Sequence, residues 1–220
     1  MASGKFDKNR AFEWWQTAAD LVVLNLLFVI TCIPIITIGT ATCSMYTYLI
    51  RTIRGDERPL AKSYFKLFAE NFKKTVGVWI GMLLAYGILF MDFQIGKNMA
   101  KPMNVVILAI VVLGVMLVTS VWIYYMSWTG LIENTVSETI KNALILGIQH
   151  APYSLLMIVL WLSPAILLWM PEVLRVTIPL FFLVWPVIMA YMNAQILAKL
   201  YLPYLGEPPK DEPDNWSAEQ

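Results

Sequence analysis

Charge is what this sequence lacks most. No Asp, Glu, Lys or Arg occurs in residues 21–50, 75–91, 102–132, 151–171 or 176–198. Hydrophobic residues make up 59% of the 220 and charged residues only 14%, far from the balance of a water-soluble domain. Histidine occurs once, at His150, and cysteine twice, at Cys32 and Cys43. So small a set of nitrogen and sulfur ligands excludes a metal centre built on His and Cys, and two cysteines make no disulfide framework. The Walker A, GxGxxG, GxSxG and HExxH patterns are all missing, and each absence removes a class of enzyme. A net charge of +1 offers no argument for nucleic acid as a partner. No catalytic residue, metal ligand or cofactor is expected.

What is present is length without charge. A helix rising about 1.5 Å per residue needs roughly 20 apolar residues to cross a bilayer core, and each uncharged stretch is near or above that. In hydrocarbon the backbone must satisfy its own hydrogen bonds, so these segments are expected to be helices rather than strands. The fold class expected is an all-α membrane protein of about five transmembrane helices, near 21–40, 75–93, 104–127, 152–170 and 176–197, with cytoplasmic amphipathic helices. The lipid bilayer is then its first partner.

The basic residues set the orientation. Arg51, Arg54, Arg58, Lys62, Lys66, Lys73 and Lys74 fall between the first and second uncharged stretches, which places residues 51–74 in the cytoplasm. Counting onward puts Lys141, Lys199 and Lys210 on the same side and Lys97, Lys101 and Arg175 opposite, so the C-terminus is expected to face the cytoplasm. The first stretch is interrupted at Pro34, which lacks a backbone donor, and at Gly39, which adds flexibility. It reads either as one broken span or as a helix that enters, breaks and returns toward Arg51. Asp7, Glu13 and Asp20 before it argue against a cleavable signal peptide.

Residues 60–74 form an amphipathic helix in this reading. Phe65, Phe68 and Phe72 recur at steps of three and four, while Lys62, Lys66 and Lys73 occupy another face. Such a helix beside a span is expected in the headgroup layer, with these six residues contacting lipid or a partner. A weaker echo lies 76 positions later, where residues 137–156 again run from a short polar helix into an apolar segment. Phe68 then aligns with Leu144 and Lys74 with His150, which points to a tandem two-span repeat followed by a fifth span.

Asn25, Thr37, Thr40 and Ser44 lie in the first stretch, where neutral side chains line a solute passage or bond between and within helices. Trp79, Trp122, Trp161 and Trp185 fall deep enough to pack between helices, whereas Trp14, Trp15, Trp128 and Trp169 suit an interfacial belt. Prolines 164, 179 and 186 are expected to kink or end helices. The acidic, proline-rich residues 206–220 read as a disordered tail.

Residues 24–75 resemble the YesL family of small bacterial membrane proteins, a domain of unknown function. The features that carry the resemblance are the start at Asn25 to Leu27, the break at Pro34 with Thr37 and Gly39, the pair Tyr46 and Tyr48, and the block Ser63 to Lys74 with Asn71. The resemblance extends more loosely through Asn142 and Ala143 to about residue 203. It implies a polytopic plasma-membrane protein associated with carbohydrate uptake, and it brings no catalytic or binding residues. The function expected is a non-enzymatic accessory or regulatory component whose partners include subunits of a sugar importer; the alternative is a small transporter or channel for a neutral solute.

Overall fold

The computed structural model describes the backbone over residues 3–56, 59–167 and 171–206, and side chains over 17–56, 59–161, 163 and 184–206. The tail after Gly206 and the side chains of Lys5, Lys8, Arg10, Trp14, Trp15, Pro164, Trp169, Arg175 and Pro179 lie outside those limits. Every regular element among the described residues is helical: α1 (Ser3–Thr31), a 3-10 turn (Ile35–Thr37), α2 (Ile38–Ile53), α3 (Leu60–Asn98), α4 (Met103–Thr129), α5 (Val136–Gln149), α6 (Ala151–Leu167), α7 (Pro171–Leu200) and α8 (Leu202–Leu205).

The interruption at Pro34 is a complete break. α1 stops at Thr31, and Thr37 donates its hydroxyl back to Thr31 O at 2.5 Å across the gap. α2 then runs antiparallel along the first half of α3: Trp79 Nε1 donates to Ile35 O at 2.8 Å, and Thr40 and Thr75 share a hydroxyl bond of 2.7 Å. Twelve consecutive residues of α2, Gly39 to Ile50, are buried. A helix buried on every side has no use for a charged face, which accounts for its mixture of small polar and apolar residues.

Around α2 the usual polarity of a protein is reversed. Thr40, Thr42, Ser44, Thr47, Asn71, Thr75, Ser127 and Thr129 are inside, while Ile80, Leu84, Ile88, Phe90, Ile110, Leu113 and Leu117 are outside. The inner hydroxyls are satisfied within the protein, many by the carbonyl four residues back: Thr42 to Ile38 O, Ser44 to Thr40 O, Thr47 to Cys43 O and Thr129 to Tyr125 O. Lipid rather than water suits such an exterior.

Among the described residues two helices, α3 and α4, are long and apolar enough to cross a membrane, and a third crossing results if α5 and α6 are counted as one bent span. The apolar part of α1, Thr17–Thr31, is shorter. α3 and α4 form a hairpin whose far half is exposed or half-buried: beyond Met82 only Gly96 of α3 is buried, and before Thr119 only Val111 of α4. The two helices touch through glycine, since a Cβ on Gly114 would stand 2.6 Å from Leu89 Cδ2 and one on Gly96 2.9 Å from Ile107 Cγ2.

Residues 60–74 and the span after them are one helix of 39 residues, about 58 Å long, with no break at the change from charged to uncharged sequence. The second unit differs. α5 and α6 meet at 100°, with His150 at φ −111° and ψ 38°. Pro152 suits the elbow, because it cannot donate to the carbonyl four residues back in α5 and stands in the first turn of α6, where no such donor is needed. The residue at the corresponding place in α3 is Val76, which continues a helix. The expected repeat is therefore not accompanied by a shared shape: residues 60–98 are one helix, and residues 136–167 are two helices meeting at an elbow. α7 runs unbroken through Pro179 and Pro186.

Candidate functional site

The start of α3 follows Pro59 and is fixed by one stripe of side chains. Tyr64, Leu67, Asn71 and Thr75 all face inward, Tyr64 with no exposed surface. Tyr64 Oη and Thr31 Oγ1 lie 2.7 Å apart, which ties α3 to α1, and Tyr125 Oη donates to Lys74 O at 2.9 Å, which ties it to α4. Asn71 satisfies its amide on Leu67 O within the helix.

Since that stripe does the packing, the phenylalanines are left outside or at its margin. Phe65 is 50% exposed and Phe72 39%, and Phe68 is half-buried against the core. Their rings make a ridge linked through the buried Tyr64: Tyr64 to Phe65 is 5.8 Å between centroids, Tyr64 to Phe68 6.4 Å and Phe68 to Phe72 6.0 Å. Lys62, Lys66 and Lys73 are exposed beside it. The structure places the three phenylalanines along one side of α3 and the three lysines on the adjoining outer surface. The sequence does not reveal that Tyr64, rather than a phenylalanine, is the inward anchor.

Other residues carry roles that sequence reasoning missed. Arg51 donates to Gly130 O at 3.2 Å, at the end of α4. Arg54 donates to Leu205 O at 3.4 Å and Gly206 O at 2.8 Å, at the end of α8. Both guanidinium groups meet the carbonyl-rich, partially negative ends of helices. These pairs join positions 79 and 151 or more residues apart, so no local signal announces them. The two arginines also gather the end of α2, the end of α4 and the end of α8 at one pole of the bundle.

At the break, Gly39 serves close approach rather than flexibility. A Cβ there would sit 2.7 Å from Trp79 Cβ. Trp79 continues into an indole series, 5.9 Å from Trp122, which is 4.9 Å from Trp161. Trp161 Nε1 donates to Tyr46 Oη at 2.7 Å, and Asn193 Nδ2 lies 3.3 Å from the same oxygen. Of the residues that can line a solute passage, Thr37 bonds Thr31 O, Thr40 bonds Thr75 and Ser44 bonds Thr40 O, while Asn25 is buried. Cys32 and Cys43 are free thiols packed at the core.

Residues 21–93 match a family model described as "Protein of unknown function, DUF624". The match covers about a third of the chain and includes the break, all of α2 and α3 as far as Phe93, and hence the aromatic ridge and both arginines. No curated protein and no solved structure matches the chain.

Proposed function

We propose that this chain is a non-enzymatic, multi-pass protein of a bacterial cell membrane that works by docking a cytoplasmic protein on the ridge Phe65, Phe68 and Phe72. The observation that carries the proposal is the division of labour on α3: Tyr64, Leu67, Phe68, Asn71 and Thr75 pack the helix, so Phe65 and Phe72 are not needed for the fold, yet they are apolar in a stretch that also bears Lys62, Lys66 and Lys73. Aromatic side chains with a cationic border suit a protein interface, where rigid rings supply area at low entropic cost.

The same reading places residues 51–74, 130–141 and 199–206 in the cytoplasm with the C-terminus. Support comes from Arg51 on Gly130 and Arg54 on Gly206, which hold those segments at one end of the molecule together with most of the basic residues. The resemblance to the YesL family supports a sugar importer subunit as the docked partner. Replacing both Phe65 and Phe72 by Ser, with Phe68 left in place because it packs on the core, is expected to abolish co-purification of that partner while membrane insertion continues. Sugar uptake and co-purification unchanged in the double variant would contradict the proposal.

A further inference from the structure

Charge is divided unevenly between the pole that carries the phenylalanine ridge and the segment that follows it in sequence. Residues 51–74 hold seven Lys and Arg against Asp56, Glu57 and Glu70, a net of +4 once every acid in the segment has been set against a base. The segments that Arg51 and Arg54 hold at the same pole, 130–141 and 199–206, add Glu133 and Glu138 against Lys141 and Lys199 and leave the balance at +4. Ion pairs within the pole redistribute this surplus without removing it. Residues 207–220 carry Glu207, Asp211, Glu212, Asp214 and Glu219 against Lys210, a net of −4, and one aromatic residue, Trp216.

The place where this acidic segment departs is fixed. Gly206 O accepts from Arg54 at 2.8 Å, so the chain leaves the bundle beside the end of α2. α2 lies antiparallel to α3, with Thr40 bonded to Thr75 and Tyr48 opposite Leu67 across a mixed-charge cleft that Arg51, Asp56, Lys66 and Glu70 also line. At about 1.5 Å per residue this register sets Arg54 level with Ala61, so Phe65 and Phe72 stand about 6 and 16 Å further along α3. Pro208, Pro209 and Pro213 favour extended chain. Ten such residues at ~3.1 Å each span about 31 Å, enough to round a helix ~10–12 Å across and bring Trp216 to either ring.

We propose, on the premise that the ridge is the docking surface described above, that residues 207–220 fold back over Phe65 and Phe72 and occupy it until a partner displaces them. Trp216 packs against the exposed rings, and the acidic residues lie along the basic border, where Lys73 is exposed. A tether this short holds the segment at a local concentration in the millimolar range, so a contact too weak to form between separate molecules covers the ridge within one. The segment is then a built-in competitor of the partner.

The full chain, purified in mild detergent, carries a photoreactive phenylalanine analogue at position 65 or 72, or in place of Leu113 on the apolar hairpin as a control. Positions 65 and 72 are expected to join residues 207–220 of the same chain, found by mass spectrometry in the monomer band of a denaturing gel, and position 113 is not. The yield is expected to fall about threefold or more between about 0.05 and 0.5 M salt, on Trp216→Ser, and on joint Asp211→Asn, Glu212→Gln and Asp214→Asn. In cells the triple variant, its cover weakened, is expected to co-purify about threefold more partner. No adduct to residues 207–220, or a yield indifferent to salt and to both variants, overturns the proposal. So does equal co-purification of a partner that parent and triple variant both capture. Since the adduct is read on the isolated chain, its absence leaves docking itself to the co-purification test above; an adduct in a chain that captures no partner overturns docking and keeps the fold-back.

Discussion

Gly39 shows how tightly α2 is seated. Its α-carbon faces Trp79, where an added Cβ would meet Trp79 Cβ at 2.7 Å and Cγ at 3.0 Å, atoms too close to the α3 backbone to swing aside. Gly39→Ala is therefore expected to push α2 and α3 apart at a cost of about 1–3 kcal/mol, read as a lower denaturation midpoint in mild detergent. Gly77→Ala and Gly81→Ala meet nothing within 4 Å and are expected to leave the midpoint near that of the parent protein. Equal midpoints for all three variants would show that the α2–α3 contact is looser than described. From the sequence alone Gly39 reads as a flexible joint, because proximity to Trp79 arises only once the chain has turned back at Pro34.

At the scale of elements, what was legible depended on whether the signal was local. The amphipathic spacing of residues 60–74 and the uncharged run after it were both readable, and so was the break at Pro34. The continuity of α3 was not, because the change in charge at Lys74 and Thr75 looks like a boundary although neither residue stops a helix. The elbow at His150 had a readable cause in Pro152, but the close approach of α5 to α4, where a Cβ on Gly147 would stand 2.6 Å from Ser120 Oγ, had no local signal.

The start of α5 was also encoded locally: Thr135 accepts from Glu138 N at 3.3 Å, while Glu138 Oε2 accepts from Thr135 N at 3.0 Å and from its hydroxyl at 2.8 Å. The bonds from the Thr135 side chain and backbone lower the Glu138 pKa from its ordinary value. A depressed carboxyl contributes stability above its unfolded pKa and loses it as pH falls through the folded one. The protection of amides in the first turn of α5, exchange being taken relative to its intrinsic rate at each pH, is thus expected to fall on acidification through and below the ordinary glutamate range. Thr135→Ala should remove that pH step, and persistence of the step in the variant would assign it to another group.

The molecule as a whole has two halves with different demands. The α3–α4 hairpin projects apolar side chains over most of its far surface, whereas the opposite pole holds the arginine-capped helix ends, the mixed-charge cleft and the phenylalanine ridge. That concentration of polar and aromatic surface at one pole is the basis for a docking role. The most direct measurement is site-specific photocrosslinking in intact cells, with a photoreactive phenylalanine analogue at position 65 or 72 and, as controls, at the buried Leu67 and at Leu84 and Leu113, exposed on the apolar hairpin. The docking account predicts a discrete protein adduct from positions 65 and 72 and none from the three controls. Adducts to lipid alone from positions 65 and 72 would contradict it and make the ridge a membrane anchor.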